Sequence, residues 1–497
     1  MSSYLEYFKE ICKFPHPSGR NEAINFFLEK FAKENSLYAE KDDYGNVIIT
    51  KKADKDFENK PAIILQAHSD MVFVSVDNRD KETSVIEPLE ENGFLKAKGT
   101  SLGADNGIGM AYALSLLSDK DLKTGKLIGL FTSDEEVGMK GAEILDKKYL
   151  DARYLINLDS EKEGEAVVSS AGGVNINATF DLSRVKKENE GTVFELELSG
   201  LTGGHSGTDI DKNRTSAVEI IIPLAFALLD KYRLDLININ MGKTCNVIST
   251  SATLKLLLEK SENYESFRNE CEKLIYDIKN EYKEKEPNLK ITHRFIRSSF
   301  TLDERVYNFV KRTVYDFDLK QFLKILALFP QGILERSNKE VCVSSNLGIC
   351  YVDFNTDKLI TSAFLRSNVN EKLVFYKDKI LQSLKENKIY NVNADYNTTD
   401  FYLPWEKSDN SRLLLITKDT YKKIFNKEIS IKSIHAGLEC GTIKEKNPSL
   451  DIVSIGPNIY NAHTTREMID IKSADRTFEF LKNLVIALAK ITSNSII

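Results

Sequence analysis

The sequence predicts an α/β core, a mainly parallel twisted sheet flanked by helices, interrupted by an inserted α+β domain. Three observations carry this. Apolar runs of strand length alternate with amphipathic helical segments over residues 1–175 and again over 400–497, the pattern of βαβ units. Between 176 and 399 the texture changes to alternating, β-rich segments separated by helices. The apolar runs of the outer segments end in acids or histidine, and in open α/β sheets ligands bind beyond the carboxyl ends of strands. The expected organisation is therefore one discontinuous catalytic domain, 1–175 with 400–497, and one insert, 176–399.

Residues 2–13 space Tyr4, Leu5, Phe8, Ile11 and Cys12 as an amphipathic helix, which FPHPSGR ends. Ser18 is placed to cap a second helix that turns Ile24, Phe26, Phe27, Leu28 and Phe31 inward. YGNVIIT reads as a strand, and PAIILQAHSDMV as one apolar on both faces that runs into His68 and Asp70. Residues 75–98 read as an irregular acidic loop with short strands. SLGADNGIG then leads into the helix MAYALSLLSD, followed by the strand KLIGLFTSDEE, a short helix at GMKGAEIL and the strand RYLINLDSE. In the insert, NINATFDL, TVFELELSGL, NVISTSATLKLLL and NLKITHRF alternate as strands, with helices near 214–231, 262–283 and 302–317. VSSNLGICYVDF and KLITSAFLRSN form a strand pair and NEKLVFYKDKILQSLKEN a helix. SDNSRLLLITKDTYKKIFN, EISIKSIHAGLECGTI and DIVSIGPN resume the first fold, and KSADRTFEFLKNLVIALAKIT closes it.

Composition narrows the function classes. A chain of 497 residues, 42% hydrophobic and 29% charged, is ordinary for a soluble globular protein. The net charge of −6 and the absence of a dense Lys/Arg face argue against nucleic acid as a partner. No apolar run reaches the roughly 18 residues of a membrane span, and the N-terminus lacks the apolar core of a secretory signal. Six cysteines without a CxxC pair fit free, mostly buried thiols in a reducing cytoplasm, which is the expected localisation.

The chemistry concentrates at the strand ends. IGLFT stops in Asp134, Glu135 and Glu136, three carboxylates that repel one another unless a strong cation sits beside them. An isolated triplet of this kind is also an ordinary solvated turn. The further residues at the same edge decide between the readings: His68, Asp70, Asp105, Asp159 and His463. Two imidazoles with Asp and Glu oxygens suit zinc, or cobalt or manganese in its place. One zinc needs three protein ligands. Five strong ones suit two ions sharing a carboxylate, which together polarise a carbonyl. Adjacent Glu135 and Glu136 can supply one ligand and one unligated general base.

HSDMV, SLGADNGIGMA, TSDEEVGMKGA, LINLDSEKEGE, GGHSG, IHAGLECG and GPNIYNAHTTRE, in that order, resemble the successive motifs of the di-zinc aminopeptidase, carboxypeptidase and aminoacylase superfamily. The nearest branch is the bacterial aminoacyl-histidine (Xaa-His, or cytosol non-specific) dipeptidases, and the match spans essentially the whole chain. The resemblance implies two zinc ions. His68 and Asp159 bind one, Glu136 and His463 the other, and Asp105 bridges them through a residue followed by a cis peptide. It makes Glu135 the general base, acting on a water shared by the metals, and Asp70 the orienter of the His68 imidazole. It makes His205 the residue that the insert, as a lid, presents to the substrate oxyanion, and Arg366 the holder of the substrate carboxylate. Asn213 and Asn346 are weaker matches to the same pocket. His435 and Glu439 either approach the substrate or support the site. Asp134 has no implied role and is expected to face backbone or solvent. Ser69 and the NAH loop depart from the family pattern without removing a ligand.

The function implied is hydrolysis of dipeptides, broad and including Xaa-His. The rivals are a carboxypeptidase or N-acyl-amino-acid deacylase on the same fold, and a silent scaffold, whose mark would be a missing ligand or base. Side-chain preference stays open, as do the metal used, whether the insert forms a homodimer, and whether His205 serves its own subunit or another.

Overall fold

The structure, a computed structural model, describes residues 3–185, 191–242, 244–297, 314–315, 317–337 and 339–491. It contains two compact units, Met1–Ser170 with Trp405–Ile497 and Ala171–Pro404. The chain leaves and re-enters the first unit at a paired position, where Ser170 and Trp405 exchange main-chain hydrogen bonds at 3.0 and 3.1 Å.

The first unit is built on an eight-stranded sheet. Its order is Tyr38–Lys41, Val47–Lys51, Leu127–Thr132, Ile63–His68, Tyr154–Asn157, Asp451–Ser454, Glu165–Ser170 and Ser430–Ile434. The centre, from Leu127–Thr132 to Asp451–Ser454, is parallel, and the first two strands join antiparallel. Leu127–Thr132, Ile63–His68 and Tyr154–Asn157 are buried at every position, which is why they read as continuous apolar runs instead of alternating ones. Helices Ser3–Ile11, Ala104–Ser118 and Ile471–Ala489 pack their aromatic side chains together. Tyr4 meets Tyr112 edge-on at 5.0 Å, and its hydroxyl donates to Asp475 at 2.7 Å. A second, four-stranded sheet orders Ile459–Tyr460, Met468–Asp470, Phe94–Ala97 and Pro88–Glu91. It takes the short strands expected within the acidic loop, Pro88–Glu91 and Phe94–Ala97, and holds the hairpin that carries His463.

Two local expectations are corrected. The second helix, Glu22–Glu34, starts after Asn21 with no side-chain cap; Ser18 Oγ donates instead to Asp70 Oδ2 at 2.7 Å. Phe26 points outward, 62% exposed, because its neighbours Phe27 and Leu28 already fill the inner face.

Beside two two-stranded pairs, Arg184–Val185 with Val314–Tyr315 and Gly204–His205 with Val247–Ile248, the second unit is built on a nine-stranded sheet, antiparallel throughout. Its main path runs Lys290–Arg297, Thr192–Ser199, Ala252–Leu258, Leu234–Met241, Glu340–Asp353, Lys358–Ser367, Gly172–Asp181 and Ala394–Tyr402, with Gly332–Ser337 paired to Glu340–Asp353. Its described helices include Ala217–Leu229, Tyr264–Glu281 and Asn370–Glu386. A core of its own holds Phe180 against Phe322 and Phe194 against Phe267. The helix expected near 302–317 lies largely outside the described residues. No helix among the described residues is long and apolar enough to cross a membrane.

Candidate active site

His68 closes the strand Ile63–His68 and is 1% exposed. Its Nδ1 lies 2.9 Å from the main-chain carbonyl of Asp70, so Nδ1 carries the proton and Nε2 presents a lone pair. The orienting group is thus mainly the Asp70 carbonyl, with the carboxylate at 3.5 Å. That carboxylate accepts instead from Ser18 Oγ and from the main-chain N–H groups of Glu135 at 2.9 Å and Glu136 at 3.3 Å. Asp70 therefore ties the His68 strand end to the acidic turn as well as to the imidazole.

Asp105 stands between the two histidines. Its Oδ1 is 3.1 Å from His68 Nε2 and its Oδ2 is 3.1 Å from His463 Nε2. Each imidazole has a second acid: Asp159 Oδ1 lies 3.3 Å from His68 Nε2, and Glu136 Oε1 lies 2.7 Å from His463 Nε2. Two donor sets, His68 with Asp159 and His463 with Glu136, thus share the Asp105 carboxylate. The Asp105–Asn106 peptide is cis, and His463 sits at φ +62° on its hairpin. Glu135, one residue before Glu136, makes no side-chain hydrogen bond to a described residue.

The arrangement fits a divalent cation. Ligand atoms of His68, Asp105 and Glu136 lie within 4.8 Å of one another. Glu136 Oε1 is buried and approaches His463 without the alignment of a hydrogen bond. Lone pairs that converge in this way are at ease around a cation. The charge balance agrees. Burial pulls the His463 pKa down, but Asp105 and Glu136 reverse this and push it up to about 11. Burial raises Glu136, and it raises Asp159 to about 6. Burial also pushes Glu135 well above the ordinary range, with Asp159, Glu136 and Glu439 adding to it against the pull of His68. Burial pushes Asp105 up too, but His463 and His68 pull it below the ordinary carboxylate range, while Glu135, Glu136 and Asp159 stand above theirs, so the acids outnumber the two imidazoles that face them.

In the second unit His205 and Arg366 come together. Arg366 is 3% exposed, stacks over the Phe364 ring at 4.3 Å and donates to Tyr402 Oη at 3.2 Å. It forms no ion pair with a carboxylate among the described residues, and burial pulls its pKa down. The main-chain N–H of Thr208 donates to His205 Nδ1, so the neutral ring is protonated on Nε2, which lies 3.2 Å from Arg366 Nη2. Two adjacent N–H donors suit an anionic oxygen placed beside the pair, within reach of both. Asn346 is buried and spends both amide protons on the carbonyls of Cys245 and Val247, so its part is to hold the local backbone. Asn213 is exposed at φ +53°, a turn position.

Comparison with known proteins decides the family. The model of Peptidase family M20/M25/M40 matches residues 64–487. The cytosol non-specific dipeptidase of Escherichia coli is 32% identical over 97% of this chain and 96% of its own. This chain is a member of that peptidase family. Aminoacylhistidine dipeptidase from Vibrio alginolyticus superposes with a TM-score of 0.78 at 30% identity, over 98% of this chain and 96% of that one. Aminopeptidase PepT from Bacillus cereus shares the fold, with a TM-score of 0.56 at 18% identity over 98% of both chains. The chain is a hydrolase of a metallopeptidase family, and divalent metal use comes with that membership.

Within the peptidase, several supporting residues carried no sequence signal of their own. Asp134, at φ +57°, is buried and accepts from Gly19 N at 2.7 Å, Asn21 Nδ2 at 3.1 Å and Tyr44 Oη at 3.0 Å, anchoring the turn that bears Glu135. Asn106 donates to Asp159 Oδ1. Ser69, the departure from the family pattern, donates to Thr132 O at 3.0 Å. Glu439 is not open to substrate: it is fully buried, and its Oε2 accepts from Gln66 Nε2 and Thr132 Oγ1, both at 2.6 Å. Gln66 in turn accepts from Asn157. These partners lie on Ile63–His68, Leu127–Thr132 and Tyr154–Asn157, the strands that lead to His68, Glu135 and Asp159, so Glu439 braces the sheet beneath the site. Burial pushes its pKa up to about 8. His435 is likewise buried.

Proposed function

We propose that this chain is a cytoplasmic dipeptidase with broad side-chain tolerance that includes Xaa-His substrates. The observation that carries the reading is the division of labour at one strand end. Glu136 Oε1 lies 2.7 Å from His463 Nε2, while the Glu135 carboxylate makes no hydrogen bond to a described residue. The end-to-end likeness to a cytosol non-specific dipeptidase supports the substrate class.

His68 with Asp159, His463 with Glu136, and Asp105 between them would hold two divalent ions, zinc with cobalt or manganese as substitutes, which would supply Lewis acidity for the scissile carbonyl and the attacking water. Glu135 takes the proton from that water and returns it to the leaving amine, the work of a general base that then serves as general acid. Asp70 keeps His68 in the tautomer that binds metal and fixes the backbone of Glu135. His205 and Arg366 offer N–H donors to anionic oxygen, the developing oxyanion for the imidazole and the terminal carboxylate for the guanidinium.

A panel of dipeptides, tripeptides and N-acetyl amino acids, run with and without chelator, tests this. The expected result is metal-dependent turnover of dipeptides well above the other two classes. Preference for N-acetyl amino acids or for longer peptides would replace the reading with a deacylase or a carboxypeptidase.

A further inference from the structure

Glu467 lies on the hairpin that carries His463 and is 3% exposed. Its carboxylate takes four consecutive main-chain N–H groups. Oε2 accepts from Leu102 at 2.7 Å and Gly103 at 2.9 Å, and Oε1 accepts from Ala104 at 2.8 Å and Asp105 at 3.3 Å. The loop is shaped for this. Gly103 sits at φ +67°, and a Cβ there would lie 2.8 Å from Met71 Sδ. The four amides belong to the turn that leads into the helix Ala104–Ser118, where the backbone is still non-helical at Asp105 and Asn106, and they converge on the one carboxylate. An acid from the far end of the chain fills a nest of this kind.

The consequence concerns two metal ligands. Asp105 is the last residue of the nest, and His463 stands on the same hairpin as Glu467. The flanking strands, Ile459–Tyr460 and Met468–Asp470, are too short to fix a hairpin by themselves. The four hydrogen bonds hold that hairpin against the Asp105 loop, where His463 Nε2 stands 3.1 Å from Asp105 Oδ2. We infer that Glu467 is a positioning residue that presents Asp105 and His463 to one cation, and so sets the affinity of the half-site they share with Glu136. This rests on the two-metal reading above.

Glu467→Gln keeps the shape but turns one oxygen into an amide that must face two N–H donors. The probe is Co²⁺, titrated into metal-free protein and followed by its visible absorption, at a temperature where circular dichroism shows both proteins folded. Wild type is expected to take two equivalents. In the variant, one of the two equilibria is expected to weaken roughly 10- to 100-fold, the usual size for groups that orient ligands, and the other to move little. A residue that only stabilised the fold would lower the melting temperature and leave both equilibria of the folded protein unchanged; that result overturns the inference. Should Glu467→Gln not fold, Glu467→Asp, which keeps both acceptor oxygens on a shorter stem, takes its place, and wild-type Co²⁺ affinities there overturn it equally. Wild-type protein that takes up no Co²⁺ sinks the two-metal reading itself, and this inference with it.

Discussion

The first unit gathers Asp105, Glu135, Glu136 and Asp159 around two histidines, whereas the sheet of the second buries Arg366 against Phe364 and Tyr402 with no carboxylate of the described residues paired to it. The site of one holds more carboxylates than imidazoles, and in the other Arg366 forms no ion pair with a described residue. Isolated buried charges of either sign are costly. Neither arrangement is explained by stability of the chain alone; a metal would relieve the acids, and the proposed substrate carboxylate would relieve the guanidinium. The supports differ as well. The acids stand at the ends of parallel strands, braced from behind by Asp70, Asp134 and Glu439. Arg366 stands on an antiparallel strand and His205 on a two-residue antiparallel pairing with Val247, held by Tyr402 and Thr208.

Removing metal should have the largest effect. Chelation is expected to take dipeptide hydrolysis to background and to lower the melting temperature, with zinc or cobalt restoring both; activity that survives exhaustive chelation breaks the reading of the first unit. Next comes Glu135→Ala. Loss of a general acid–base group costs roughly 10²- to 10⁴-fold in rate, and metal content measured by elemental analysis should stay at the wild-type value. Near-normal turnover in that variant would return Glu135 to the status of a turn residue.

Arg366→Met tests the other side. Charged hydrogen bonds contribute roughly 1.5–3 kcal/mol, so kcat/KM for a free dipeptide should fall about 10- to 100-fold, mostly through KM. The fall should nearly vanish for the dipeptide amide. Stability should hold or rise, since a buried unpaired charge is removed. A drop in melting temperature with equal losses on both substrates would make Arg366 a structural residue. The smallest effect distinguishes support from contact. Glu439→Ala strands Gln66 and Thr132 and should cost about 1–3 kcal/mol in urea unfolding. Its KM should change little; a large KM effect at unchanged stability would put Glu439 back against the substrate.

Much of this was legible before any coordinates. The apolar runs ending in His68, in Glu135 and Glu136, and in Asp159 mark buried strands with polar carboxyl ends, and the change of texture marks the insert. Local chemistry carries that information: a strand buried on both faces must be apolar throughout, and a metal ligand must be His, Asp or Glu wherever it falls. The supporting bonds were not legible. The main-chain carbonyl of Asp70 takes the proton of His68, Asp134 anchors Gly19 and Tyr44, Glu439 sinks beneath the sheet, and Glu467 reaches the amides of residues 102–105. Each joins groups far apart in the chain or uses backbone atoms that every residue possesses, so no periodicity or spacing announces it. Residue identity by itself determined which groups could bind and which could carry a proton. Only the tertiary structure decided which of them face one another, because a hydrogen bond depends on distance and alignment that the folded chain alone sets.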